Sequence, residues 1–370
     1  MNAARRVPAC LAAMICALAA IGASGAGGAA GASGTVEYSP VLPGTGLQFP
    51  RDHGSHPDFR TEWWYITGWL QTGSGEPLGF QVTFFRTRPD IDAANPSAFA
   101  PRQLIIAHAA LSDARRGRLW KDQRIARAAL SLADAATERL DVWLDRWRLQ
   151  QNGAALTARV DGDDFGFALQ FDATQQPLPN GEVGYSQKGP APRSASYYYS
   201  LPHLQVTGSV TRQGRAQGVT GEAWLDHEWS SEYLDAQATG WDWTGINLAD
   251  GSALMLFRIR GADGRARWAG GTLRDAAGNV QVFKPGEIEF VAGRRWRSPR
   301  TGTEYPIEWT VRAGASTFEL KPLLDDQEND ARLSTGAIYW EGAVTALQNG
   351  APRGRGYLEL TGYGEPLKLP

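Results

Sequence analysis

Two cysteines, five histidines and three methionines are all that a chain of 370 residues contains. Both cysteines, Cys10 and Cys16, lie in the first 25 residues. If that segment is removed, disulfides, thiolate metal sites and cysteine nucleophiles go with it, and the fold must rely on its core. Long apolar runs are missing too. Cys10 to Ile21 is short for a bilayer span, and no later stretch is long enough to try. Nor is there an excess of one charge. Setting aside Arg5 and Arg6, the 37 basic residues fall to 35 against 39 acidic, a formal charge near −4. That balance offers nothing to nucleic acid. No P-loop, dinucleotide fingerprint or Gly-x-Ser-x-Gly elbow occurs, which disfavours nucleotide chemistry and a serine hydrolase. Hydrolysis by an acid and a bound water stays open.

Residues 1–25 read as a secretory signal. Arg5 and Arg6 precede the short apolar run, and small residues surround Ala23 and Gly25. A lipid-anchored cysteine is the lesser reading, because the apolar run follows Cys10 rather than preceding it. Gly27–Gly34 is a Gly/Ala/Ser linker, and residues 26–55 as a whole form an extended lead-in. Short β-branched or aromatic runs follow, separated by Gly, Asn and Asp, as at Trp63–Leu70, Leu78–Arg86, Leu104–Leu111 and Gly218–Trp229. Helical periodicity is scarce, with Arg127–Arg139 its best instance. The pattern predicts an all-β chain of barrels or sandwiches.

An internal echo sharpens this. Trp64-Tyr-Ile-Thr-Gly68 opens one half and Trp241-Asp-Trp-Thr-Gly245 the other, and each leads to a Phe-Arg pair, Phe85-Arg86 and Phe257-Arg258. Gly221–Leu225 echoes Gly356–Leu360 near the ends. Two tandem antiparallel β-barrels follow, over residues 56–232 and 233–370. On this alignment Thr361-Gly362 stands where the first copy has Asp226-His227, so the barrel itself does not demand that acid and histidine.

What the chain has in plenty is aromatic surface: 14 Trp, 11 Tyr and 13 Phe. Such walls fill β-cores and also line pockets for greasy ligands. The stretch Gly221–Ser231, GEAWLDHEWSS, sets three polar residues among tryptophans. In a regular strand Asp226 and Glu228 share a face with Trp224, while His227 shares the other with Leu225 and Trp229. Burial and like charge both raise a carboxyl pKa, which supplies a proton donor near neutrality. The bland alternative is that both acids end a strand in solvent. Glu62-Trp63-Trp64-Tyr65 sets another acid beside three rings, either held in an apolar wall or left at its rim. Tyr198 faces oppositely to Tyr197 and Tyr199, towards a cavity or as core filler. His108 lies in an alternating strand and is expected inside the first barrel. His53 and His56, with Asp52, Asp58 and Glu62, could mimic a metal set, but a Pro-interrupted loop does not align imidazoles as a helix turn does. No metal is expected. The basic cluster Arg294, Arg295, Arg297 and Arg300 reads as a solvated turn.

His56-Pro57, Glu62-Trp-Trp-Tyr65, Gly79-Phe-Gln-Val-Thr-Phe-Phe-Arg86, Ala107-His108 and Asp226-His-Glu-Trp229 together resemble the hydroxyneurosporene synthase (carotenoid 1,2-hydratase) family, and more closely its exported AttH-type branch of predicted secreted hydrolases. The resemblance runs from about His56 to the end. It implies two lipocalin-like barrels. The hydratases' seam motif Asp-His-Asn-Trp-Gly is matched by Asp226, His227 and Trp229, with Glu228 in place of Asn and Ser230 in place of Gly. The family's proton donor lies downstream, with Asp242 and Asp250 the candidates.

The expectation is then a periplasmic or secreted monomer, able to associate peripherally with a membrane, that binds a small lipophilic ligand near the domain seam without a cofactor. Asp226, His227, Glu228 and Glu62 are the candidate acid–base groups, with His227 orienting or deprotonating water. Trp229, Trp64, Tyr65, Trp224, His108, Tyr198, Trp241 and Trp243 are the candidate ligand wall. A non-catalytic carrier and a secreted hydrolase are the rival readings.

Overall fold

The computed structural model describes residues 36–91, 95–97 and 99–367; the expected leader and linker, with Cys10 and Cys16, lie outside them. From Val36 to Arg60 the chain is irregular apart from one 3₁₀ turn, Arg51–His53. This lead-in is nevertheless fastened down. It buries Val41 and His56, and the Leu42 amide donates to the Tyr197 hydroxyl at 3.0 Å.

Strands take over from Thr61. The first sheet begins with β1 (Thr61–Thr72), β2 (Pro77–Thr87), β3 (Leu104–Asp113) and β4 (Trp120–Arg127). Short strands follow: β5 (Ala133–Ala135), β6 (Asp141–Leu144), β7 (Trp147–Asn152), β8 (Ala155–Asp161) and β9 (Phe165–Asp172). After β10 (Leu178–Pro179) and β11 (Tyr185–Gln187), two 18-residue strands close the half, β12 (Ala195–Arg212) and β13 (Arg215–Glu232). The order is β4-β3-β2-β1-β13-β12-β9-β8-β7-β6-β5, all antiparallel, and a bridge from Ala129 to Ala133 links the two ends. The weak helical periodicity of Arg127–Arg139 therefore yields no helix. That stretch holds the end of β4, this bridge and β5, because closing the barrel needs the backbone groups a helix would consume.

The second half opens with β14 (Ala238–Leu248), β15 (Ala253–Gly261), β16 (Ala266–Arg274), β17 (Val280–Phe283) and β18 (Ile288–Ala292). A separate hairpin, β19 (Arg295–Arg297) with β20 (Glu304–Pro306), carries the basic cluster, its arginines paired with Glu304, Glu308, Asp325 and Asp326. The half ends with β21 (Trp309–Ala313), β22 (Ser316–Pro322), β23 (Glu328–Ala331), β24 (Ala337–Gln348) and β25 (Ala351–Leu360). The order is β17-β16-β15-β14-β25-β24-β22-β21-β18. In both halves the opening strand lies between its hairpin partner and the last strand. These are tandem lipocalin-like barrels.

Alternation explains the packing. Trp64, Ile66 and Leu70 of β1 point into the first barrel with Phe80, Val82 and Phe84 of β2. Ile246 and Leu248 of β14 point into the second with Leu254 and Leu256. The opposite faces are also apolar, since the barrels cover each other: Tyr65, Trp69, Tyr198 and Trp224 pack on Trp243, Met255, Phe257 and Tyr357. The approach is closest at Gly79, where an added Cβ would lie 2.6 Å from the Ala343 Cβ and 3.0 Å from the Tyr357 hydroxyl. A bulge in β12 turns His203 towards the second barrel, where its Nε2 lies 2.9 Å from the Ser252 carbonyl oxygen.

The ladders also correct the sequence echo. Trp63 stands across from Phe85 and Glu228, as Trp243 stands across from Phe257 and Glu359. Glu62 faces Arg86, and Asp242 faces Arg258. Trp64 and Trp241 are thus not counterparts: one points into its barrel, the other out of it. The counterparts of Asp226-His227 are Tyr357-Leu358 rather than Thr361-Gly362. A short motif slides easily by a residue, and a one-residue slide exchanges the two faces of a strand.

Candidate functional site in the cleft between the barrels

The outer faces of β1, β2, β3 and β13 meet those of β14, β15, β24 and β25 around a cleft of about 1030 Å³, mouth included. Rings of Trp63, Tyr65, Phe85, Trp241, Trp243 and Phe257 form most of its wall. Four carboxyl side chains line it as well: Asp226 and Glu228 from β13, Glu341 from β24 and Glu359 from β25. Its two sides are built from equivalent positions. Trp63, Phe85 and Glu228 answer to Trp243, Phe257 and Glu359, and Tyr198 behind Glu228 answers to Glu341 beside Glu359.

Asp226 is 3 % exposed. Its Oδ1 accepts from the Ser200 hydroxyl at 2.6 Å and the Trp224 indole N–H at 2.7 Å, and its Oδ2 from the Tyr198 hydroxyl at 2.6 Å. The donors cannot turn away. Tyr198 already accepts from the Trp243 N–H at 3.0 Å, and Ser200 from the Asn180 amide at 2.8 Å. Burial lifts the Asp226 pKa to about 7, against these hydrogen bonds, which lower it; the charge of Glu228 adds to the rise. Glu228 has a different setting. The Ser196 hydroxyl donates to it, and the buried Lys188 ammonium lies 2.8 Å away, 4.0 Å above the Phe257 ring. Burial pulls Lys188 below its ordinary value, while Glu228 opposes that shift.

Glu341 and Glu359 are direct cross-strand neighbours. Burial first, and then their mutual repulsion, raise Glu341 well above its ordinary value, and Glu359 rises to about 8, chiefly through burial. The Tyr65 hydroxyl, Thr87 Oγ1 and Glu341 Oε1 all line this cleft, and each is buried without a well-formed hydrogen bond. Tyr65 and Glu341 lie close enough for each to alter the other's hold on its proton.

Inside the first barrel, behind β13, lies a second polar cluster. Glu62 is fully buried. Its Oε1 accepts from His56 Nδ1 at 2.7 Å and His227 Nε2 at 2.9 Å, and its Oε2 from Arg86 Nε at 2.7 Å and the His56 amide at 2.9 Å. His56 stacks on Trp229, with ring centroids 3.7 Å apart, and Trp64 stacks on His227. Burial raises the Glu62 pKa, but Arg86 and His56 outweigh it and hold the carboxyl well below its usual range. His56 is raised despite burial, by Glu62 and Asp52, and His227 is lowered by burial. His56, Glu62 and His227 each bring one ligand atom within 4.8 Å of the others, a donor set of the type that binds zinc or iron. A cation there would have to displace two hydrogen bonds and compete with Arg86 for the same carboxylate.

The candidates of the sequence therefore divide. Asp226, Glu228, Tyr65, Trp241, Trp243 and His108 line the cleft, and Trp224 and Tyr198 brace Asp226 from behind. Glu62, His227, Trp64 and Trp229 do not reach it, because alternation sends them into the first barrel. The expectation that His227 handles a cleft-bound water is corrected accordingly. His108 also faces the other way from the expectation. It points out of the first barrel, with Nδ1 2.8 Å from the Tyr339 hydroxyl and Nε2 2.8 Å from the Ser334 hydroxyl. Burial lowers its pKa to about 3, Lys121 assisting, so it is neutral. Neither downstream candidate lies in the cleft: Asp242 is inside the second barrel with Arg258 at 2.5 Å, and Asp250 sits in an exposed turn.

Sequence reasoning missed Glu341, Glu359 and Lys188. The first two carried the same signal as Asp226, an acid two residues from an aromatic in a strand, at Tyr339/Glu341 and Tyr357/Glu359. Nothing in the pattern marked Lys188.

Residues 40–363 match the AttH-like family model. The crystal structure of an AttH-type protein from Nitrosomonas europaea is 52% identical, with a TM-score of 0.84 over 88% of this chain and 100% of that one. Kievitone hydratase of Fusarium solani subsp. phaseoli is 27% identical over 212 residues, 55% of this chain and 59% of that protein, so the match spans little more than half of that relative. The structure of kievitone hydratase from Nectria haematococca shares the fold, with a TM-score of 0.66 at 16% identity over 90% of this chain and 98% of that one. This chain belongs to the AttH-like family.

Proposed function

We propose that the chain is an exported, cofactor-free acid–base enzyme. It takes an isoprenoid, polyketide or lipid-like molecule into the cleft between its barrels and hydrates, isomerises or cyclises it. The observation that carries this reading is Asp226. It is a buried carboxyl among tryptophans, poised at a pKa of about 7. A group so placed exchanges protons with a bound molecule at neutral pH. The rings of Trp63, Trp241 and Trp243 suit an apolar ligand and attract a developing cation, by about 1–2 kcal/mol each when desolvated. The hydratase relative supports water addition as the reaction class.

Kievitone and a bacterial lipid extract, incubated with the protein in ¹⁸O-labelled water and read by mass spectrometry, test the reading. A labelled water adduct is expected from the wild type, and Asp226→Asn should retain ligand but lose conversion. Retention without conversion by any form would make the protein a carrier. Labelled cleavage fragments would make it a hydrolase.

A further inference from the structure

Asp226 and Glu341 line the same cleft, and burial raises both, but their hydrogen bonding differs. Around Asp226 three donors are fixed in place, and each needs an oxygen lone pair. They favour the ionised form and leave the group to receive a proton. Around Glu341 the reverse holds. It is 4 % exposed, its Oε1 has no well-formed hydrogen bond, the Tyr65 hydroxyl being the one polar neighbour that lowers its pKa, and among the described residues it forms no ion pair. The ionisable groups that act on it are the Glu359 carboxyl on β25 and the hydroxyls of Tyr65, Tyr339 and Tyr357; none is a cation. Such a carboxyl keeps its proton. The Tyr65 hydroxyl beside it, which makes no well-formed hydrogen bond, adds a second polar atom that a ligand would satisfy.

We propose that Glu341, from the second barrel, is the proton donor of the cleft and Asp226, from the first, its proton acceptor. This assignment rests on the acid–base reading above. Environments that push two carboxyls apart divide the acid role from the base role. In a hydration, the O–H bond of Glu341 breaks as a C–H bond forms at one alkene carbon. The electron-poor carbon left behind takes a lone pair of water, and the surplus proton on that oxygen passes to the Asp226 carboxylate. The alkene has gained H and OH, Glu341 is ionised and Asp226 protonated. Exchange with solvent restores both.

Infrared difference spectroscopy of the carbonyl band of protonated carboxyls, at pH 8 on the full chain, tests where the proton resides. The wild type should show the band. Glu341→Gln should remove the larger part of it, leaving the partial band of Glu359, whose carboxyl is raised to about 8; Asp226→Asn should leave it nearly unchanged, and Glu359→Gln should keep the Glu341 component. A band absent from the wild type, or undiminished in Glu341→Gln, overturns the assignment. If Glu341→Gln fails to fold, Tyr65→Phe replaces it: the band should shift in frequency, and an unmoved band counts against the assignment. With kievitone as probe, Glu341→Gln should lower kcat and leave KM nearly unchanged. A wild type that leaves kievitone untouched but shows the band would sink the reading of the cleft, while the band still decides who holds the proton.

Discussion

The two barrels carry the same framework and spend it differently. At the mouth of each, an inward acid on the opening strand pairs with an arginine of the next, Glu62 with Arg86 and Asp242 with Arg258. The second barrel completes this pair with Arg260 and Tyr363. The first completes it with two histidines, one supplied by the irregular lead-in. On the outer faces the equivalence persists at Trp63/Trp243, Phe85/Phe257 and Glu228/Glu359, then breaks where it matters chemically. Asp226 stands where the second barrel has Tyr357, and Glu341 stands where the first has Tyr198. Each barrel thus contributes one acid at a position where the other has a phenol. The two walls share a framework but not their acids.

This comparison can be broken by experiment. The largest effect is expected from Glu62→Ala, which leaves Arg86 buried without its partner and should cost about 3–5 kcal/mol in urea unfolding at pH 7. Because Glu62 is held below its ordinary value, its contribution is present above the unfolded pKa and is lost as pH falls through the folded one. The penalty should therefore shrink in strong acid. At pH 7 Asp242→Ala should cost a comparable amount if the two acid–arginine pairs are equivalent.

Next comes Asp226→Asn, expected to lower conversion by roughly 10²–10⁴-fold in the mass-spectrometric assay. Tyr357→Phe, at the counterpart position, should leave conversion nearly unchanged. Equal losses from the two would show that the asymmetry is not chemical. Gly79→Val drives a branched side chain into Ala343 where the barrels touch, and should cost about 1–3 kcal/mol by calorimetry. A neutral outcome would mean that the barrels separate freely.

The smallest effect concerns pH. Glu341 is raised from 4.5, so ionising it opposes folding. At pH 4 it is protonated in both states and Glu341→Gln should match the wild type. As pH rises above 4.5 the wild type should lose stability relative to the variant, seen as a growing gap in Tm. A constant gap across pH would contradict the raised pKa.

The strands, the tandem halves and the two faces of Gly221–Ser231 were legible in the sequence, from short β-branched and aromatic runs between turn residues, from the repeated motifs and from the alternation of acids with His227 in β13. What alternation does not say is which face points into a barrel. In an ordinary barrel the outer face is polar. Here the neighbouring barrel covers it, so Ile106 and His108 on one face of β3 read as apolar as Ile105 and Ala107 on the other. That is why His108 was expected inside. Glu62 and His227 read as site residues because a buried acid beside rings looks the same from either side of the sheet. Glu341 and Glu359 were overlooked because each is a lone acid in its own strand. Only the ladder between β24 and β25 makes them neighbours.

A chamber bounded by the outer faces of two barrels separates two demands that a core-lined pocket must reconcile. The residues that shape it are not those that fill either interior, so its walls can be exchanged while both cores stay intact. Such an arrangement lends itself to rapid divergence of what is bound, with little loss of foldability along the way.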